Sequence, residues 1–147
     1  MLQFYNSKIL KLHCASVRGR KILAKPILIL AIIHSIENHI ILNNEFPWGK
    51  QKELLLEFNH IYEDLFIGYL PNEYHTPLFK PFFHLKHEGF WHLKLNEDVK
   101  FPTSSSVGFL NKYVDYAYLD NELWELLQNF EYRKFIKETI IHNYLMN

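Results

Sequence analysis

A chain of 147 residues with 48% hydrophobic and 16% aromatic side chains can bury one sizeable core, which excludes a disordered, collagen-like or low-complexity polypeptide. The 16 Lys and Arg cancel the 16 Asp and Glu, so no global basic excess points to nucleic acid, although cancellation leaves room for local patches. The single cysteine, Cys14, rules out an internal disulfide and every zinc motif built on paired cysteines.

The amino-terminal stretch carries Lys8, Lys11, Arg18, Arg20, Lys21 and Lys25 before the first acid. An organelle transit peptide would leave the adjoining helix unexplained, so a cytoplasmic protein is expected. The most apolar run, Pro26 to Ile36, is interrupted by His34 and Ser35 and falls short of the roughly 20 residues that span a bilayer, so no membrane partner is expected. Lys25-Pro26 opens the first predicted helix, because proline loses nothing where the backbone N–H has no partner. Ile27, Leu30, Ala31, His34 and Ile41 recur with helical spacing, and the near-continuous apolarity predicts a central helix that Asn43-Asn44 and Pro47 end.

A second helix is predicted from about Lys50 to Ile67, with Leu54, Leu55, Phe58, Ile61, Leu65 and Phe66 as its stripe. Glu53, Glu57, Glu63 and Asp64 form its wet face. Gly68, Pro71 and Pro77 punctuate the surface loop that follows. Two aromatic-rich runs, Phe79 to Leu85 and Phe90 to Leu95, then flank Lys86-His87-Glu88-Gly89, which is a hairpin signal. A four-residue loop would set His84 opposite Trp91 and Phe83 opposite His92.

Thr103 to Ser106 reads as a loop, and Val107 to Tyr118 as a helix with Leu110, Val114 and Ala117 inward. Asp120 suits the N-cap of a helix over Asn121 to Gln128 that buries Leu123, Trp124 and Leu127. A last helix, about Glu131 to Leu145, presents Phe135, Ile136, Ile140 and Tyr144 on one face. The sum is α+β: a mostly helical single domain over residues 1–147 with a small central antiparallel hairpin or sheet. Trp91 and Trp124 are expected to be buried, and Pro81 to be accessible.

Nothing in this pattern predicts catalysis, a cofactor or a metal. His84, His87 and His92 match no metal-ligand spacing, and no cysteine completes a shell. Cys14 follows His13 directly, and adjacent residues do not converge as nucleophile and base must. His87-Glu88 reads as a solvated pair in a turn. The basic cluster Arg18, Arg20, Lys21 and Lys25 precedes a helix start, where unpaired N–H groups favour anions. With Lys80, Lys86 and Lys94 near the hairpin, two basic patches can lie together and hold a phosphate backbone; a solvated charged face fits the charges alone equally well.

Three stretches in order add a further line: Lys25-Pro26-Ile27-Leu28-Ile29-Leu30; Pro81-Phe82-Phe83-His84-Leu85 with Gly89-Phe90-Trp91-His92-Leu93; and Leu119-Asp120-Asn121-Glu122-Leu123-Trp124-Glu125-Leu126-Leu127, followed by Arg133 and Tyr144. Over about residues 18–145 the chain resembles the sulfur-binding domain of phosphorothioate-dependent, McrA-type restriction endonucleases, which usually precedes an HNH nuclease domain. The resemblance implies a domain that grips DNA and reads a backbone sulfur in a shallow apolar pocket beside a proline ring. It places that proline at Pro81 and a phosphate-contacting basic residue at Lys25. His84 stands where the family is expected to carry a small pocket residue, and Lys80 where it is expected to carry an aromatic one.

The leading expectation is therefore a DNA-binding targeting module of a restriction-type system, with Lys25, Lys80, Pro81, His84, Arg18, Arg20 and Lys21 as its site. Its expected partners are phosphorothioate-modified DNA and a separate or fused HNH nuclease. The nuclease part is not expected within these residues, so no cleavage is expected either. A protein-interaction module on the same fold, and a small metal nuclease using the three histidines, are the alternatives.

Overall fold

The most apolar stretch of the sequence becomes the middle of the molecule. In the computed structural model, which describes residues 1–49, 52–66 and 75–146, helix α2 spans Ala24–Glu37 and buries every residue from Pro26 to Ile33. A helix apolar all round must be enclosed on all sides, as expected from its sequence. Pro26 sits third in the helix, still inside the first turn where its missing N–H has no partner to lose. The helix ends six residues before Asn43. His39 adopts a left-handed conformation (φ 57°), and the N–H groups of His39 and Ile40 return to the carbonyls of Ile36 and Ser35.

Before α2 come helix α1 (Leu2–Leu10), which the sequence did not suggest, and a two-stranded ribbon, β1 (Ser16–Val17) with β2 (Arg20–Lys21). Arg18 and Gly19 both have positive φ, 52° and 79°, which makes the tight turn that matches strand twist. After α2 come β3 (Phe46–Pro47) and α3 (Lys52–Phe66), which packs on α2 through Leu54, Phe58, Ile61 and Tyr62. Leu55 is exposed rather than part of the stripe, and Glu57 is half-buried beside His34, 3.4 Å away. The predicted ends Lys50 and Ile67, the loop residues Gly68 and Pro71, and the side chains of Leu65 and Phe66 lie outside the described residues.

The predicted hairpin is not formed. Phe79–His84 is a helix, α4, continued by a tighter turn over Leu85–Glu88 and stopped by Gly89 at φ 89°. Four of its residues, Pro81, Phe82, Phe83 and Leu85, are buried without the alternation a strand face requires. Only the second run is a strand, β4 (Trp91–Leu95), and its partner is distant in sequence. Trp91 lies opposite Leu119 and His92 opposite Tyr118, not opposite His84 and Phe83.

That partner, β5 (Val114–Leu119), occupies the second half of the helix predicted over Val107 to Tyr118; α5 covers only Val107–Tyr113. Leu110, Val114 and Ala117 are buried as expected, because an irregularity opposite Lys94 and Leu95 resets the strand. Val114 and Ala117 then face inward three residues apart, which imitates helical spacing. The antiparallel sheet runs β3–β5–β4. It gives the expected α+β class by a different pairing.

Helix α6 (Asn121–Gln128) buries Leu123 and Leu127, while Trp124 is only half-buried, its ring 6.2 Å from Phe46. Asp120 precedes it but gives its carboxylate elsewhere: it accepts from the Tyr5 hydroxyl at 2.9 Å and from His92 Nε2 at 2.5 Å. Helix α7 (Phe130–Ile140) is capped by Asn129 and followed by a wider turn over Ile141–Leu145. Ile136, Ile140 and Tyr144 are buried and Phe135 is exposed, against expectation. Trp91 is fully buried between Phe46 and Phe82, its indole N–H donating to the Phe82 carbonyl at 2.8 Å. The same core holds Phe82, Phe83 and α2.

Candidate nucleic-acid interface

Three local structures converge on one cleft of about 470 Å³: the β1–β2 ribbon, the first turn of α2, and α4 with its continuation. Cys14, Ala15, Val17, Ile22, Ala24 and Pro81 give it an apolar lining, and His13, Lys25, Thr76, Lys80, His84 and His87 supply its polar groups. The ribbon is closed behind the cleft by the Ile22 N–H, which donates to the Ala15 carbonyl at 2.7 Å. Four of the residues singled out in the sequence, Lys25, Lys80, Pro81 and His84, therefore line a single cavity although they come from two helices far apart in the chain. Pro81 contributes as a buried wall and not as the accessible ring expected. Its position in a short helix, rather than on a strand, packs it down between its neighbours.

Arg18, Arg20 and Lys21 are exposed on the ribbon that forms one side of the cleft, and none of them lines it. Lys21 holds its ammonium 5.8 Å from the Tyr144 ring. Lys86 places its ammonium over Phe83 and Phe101, and burial lowers its pKa. Lys94 does not join these cations. It lines a second cleft, with Asn44, Glu45, Tyr116, Tyr118 and Asn121.

Behind the cleft lies a group the sequence reading missed. Glu88 is not solvated; its side chain is 3% exposed and accepts from Lys25 Nζ at 2.6 Å. His13 Nδ1 lies 3.0 Å from the other oxygen, and the His13 backbone N–H points at both. Burial by itself would raise the Glu88 carboxyl, but Lys25 and His13 outweigh it and hold the group below the usual carboxylate range. No local signal announces this, since Lys25 and Glu88 meet across the fold. The Lys25 ammonium keeps further N–H donors for an anion after Glu88 has taken one.

The histidines divide. His84 and His87 lie with ring centroids 5.6 Å apart and planes 24° from parallel, both on the cleft. Burial first, and the neighbouring cationic groups second, push both below the ordinary histidine value. His92 is elsewhere, bound to Asp120 on β4. Among the described residues no group of three His, Cys, Asp or Glu side chains is placed to hold a metal. Cys14 is half-buried; burial pushes its thiol up while Lys25 and Lys21 pull it back, so it presents a neutral, polarizable surface. The site joins fixed cations to an apolar wall, an arrangement suited to an anion with one weakly hydrated face.

No family model matches the sequence, and none of the curated proteins does. Solved structures do match. The sulfur-binding domain of ScoMcrA complexed with phosphorothioated DNA superposes with a TM-score of 0.69, covering 95% of this chain and 86% of that one at 16% identity. The chain has the fold of a sulfur-binding domain.

The same sulfur-binding-domain fold is found in the Type IV phosphorothioation-dependent restriction endonuclease ScoMcrA, at 17% identity and TM-score 0.69. This chain covers 29% of that endonuclease, and 41% of a structure that joins the sulfur-binding domain to an SRA domain with phosphorothioated DNA. Among the described residues no helix is long and apolar enough to cross a membrane.

Proposed function

We propose that this chain is a cytoplasmic DNA-backbone-binding domain that receives a phosphorothioate sulfur in the cleft walled by Pro81, as the targeting part of a restriction-type system with a fused or separate nuclease. The observation that carries the reading is the convergence of Lys25, Lys80, Pro81 and His84 on one cleft, within a fold of which two solved neighbours are complexes with phosphorothioated DNA.

The chemistry follows from what sulfur lacks. A phosphorothioate keeps its negative charge, but its sulfur is larger and a poorer hydrogen-bond acceptor than oxygen. An apolar wall of Pro81, Val17 and Cys14 strips water from sulfur at little cost, whereas an oxygen placed there loses hydrogen bonds that the wall does not replace. Selectivity is then mostly rejection of oxygen. Lys80, with Arg18 and Arg20 on the ribbon, supplies affinity for the backbone without reading bases.

Duplexes of one sequence, with and without a single phosphorothioate, decide the matter when titrated at equal salt. An unmet buried acceptor is worth roughly 1–3 kcal/mol, so the modified duplex should bind about tenfold tighter or more. Pro81→Ala should shrink that ratio, and Lys80→Ala should weaken both duplexes alike. Equal affinity for the two duplexes would reject the sulfur reading and leave a general phosphate site.

A further inference from the structure

The two histidines on the cleft are the feature that a sulfur-receiving wall does not require. A ring at His84 adds bulk and polarity beside the apolar part of the lining, which includes Pro81, Cys14, Val17 and Ile22, and His87 stacks on it from the following turn. We propose that His84 and His87 form a proton-controlled selectivity wall: as neutral rings they disfavour a phosphate oxygen, and as imidazolium ions they accept it. This deepens the phosphorothioate reading and rests on it.

Geometry sets the terms. His84 closes α4, and its ring also meets Phe83 edge-on at 4.9 Å, so one side of it is fixed against the core. The groups acting on it are Lys80 from its own helix, Lys86 and His87 from the continuing turn, and Lys25 from α2. His87 is acted on by Lys86, Lys25, His13 and Glu88, and Glu88 alone favours its charged form. Desolvation and this cationic company push both rings toward the neutral form, the half-buried His84 inside the cleft and His87 exposed at its rim. A neutral imidazole offers one N–H and one lone pair; the lone pair repels an anion's oxygen. Protonation turns that acceptor into a second donor, which is what a phosphate oxygen needs and a sulfur hardly uses. An arriving phosphate also favours protonation, so binding and proton uptake are linked in the same direction.

The test uses the whole chain and the same pair of duplexes at constant ionic strength, over a series from about pH 8 down to about pH 5, because both rings titrate below the ordinary histidine value. Both duplexes should bind tighter in acid, because the protein as a whole gains charge. The discriminating quantity is the ratio of the two affinities, in which that general gain cancels. It should fall by about threefold or more on acidification, with the unmodified duplex gaining most. In the double variant His84→Asn with His87→Asn the ratio should not move with pH. A ratio well above one that stays constant in the unaltered chain overturns the proposal and leaves the sulfur reading standing. So does a double variant that keeps the full pH response. A ratio near one throughout the pH series overturns the sulfur reading and this proposal together.

Discussion

Glu88 shows how a single side chain can be misjudged from its neighbours in sequence. Between His87 and Gly89 it reads as a turn carboxylate, yet the fold buries it against Lys25 and His13. Because its folded pKa lies below the unfolded one, the stability it contributes is complete above the ordinary carboxylate range and is lost as the pH falls through the depressed value. Glu88→Gln should therefore cost about 1–3 kcal/mol at neutral pH and make the remaining stability less sensitive to acid. Urea denaturation at a series of pH values measures both; a pH dependence identical to that of the unaltered chain would show that Glu88 is not the acid-sensitive group. Tyr144 is the opposite case, a residue whose burial was legible from helical spacing while its polar role was not. Its hydroxyl donates to the Ile9 carbonyl at 2.5 Å and accepts the Leu12 N–H at 3.1 Å, tying the end of the chain to α1. Tyr144→Phe leaves both backbone groups without that partner, and a loss of about 1–3 kcal/mol is expected in the same denaturation experiment.

At the scale of elements, the readings that failed did so where a local pattern had two geometric solutions. Inward positions at Leu110, Val114 and Ala117 fit a helix, and Leu110 is helical, but the strand irregularity near Leu95 gives Val114 and Ala117 the same spacing on a strand. α2 ends earlier than Asn43 predicts, because a left-handed cap is announced by glycine, and here His39 takes that conformation. The aromatic run Phe79 to Leu85 reads as a strand on composition, but its consecutive buried residues lack the alternation of a two-faced strand. Gly89 fits a hairpin turn in the sequence but is the stop of a helical segment in the fold. Its φ of 89° is the requirement, and an added Cβ would also approach Lys8 Nζ to 3.0 Å. The lysine tip can move aside, so the backbone sets the cost of Gly89→Ala, about 1–2 kcal/mol. Since Gly89 leads into β4, that variant should lower the thermal midpoint, as followed by tryptophan fluorescence or by calorimetry. An unchanged midpoint would mean that the turn relaxes without affecting the sheet.

For the molecule as a whole, the α+β class is legible because the central apolar helix and the apolar stripes of the C-terminal helices are strong signals. The convergence of Lys25 and Pro81 was legible only through family resemblance, since no spacing rule links residues that meet across a fold. The charge distribution is where whole-chain reasoning makes its own prediction. Lys and Arg balance Asp and Glu at 16 each, so a titration of bulk charge would show nothing that favours DNA. Yet Arg18, Arg20, Lys21 and Lys80 are exposed on or beside one cleft, while acids such as Glu53, Glu63, Asp64, Glu122 and Glu125 lie on α3 and α6. Lys25 is partly neutralised by Glu88 and adds less than a free cation would. Each cation that meets a phosphate releases a condensed counterion, and about four such contacts imply a loss of affinity of roughly 10²-fold between about 50 and 200 mM salt. The duplex sequence should matter little, because these contacts reach only the backbone. Replacing Arg18 and Arg20 together by Ala should flatten the logarithmic salt slope by about two and weaken modified and unmodified duplexes in equal proportion. If the slope is unchanged in that double variant, the ribbon does not lie on the DNA backbone, and the cleft must be approached from its α4 side alone.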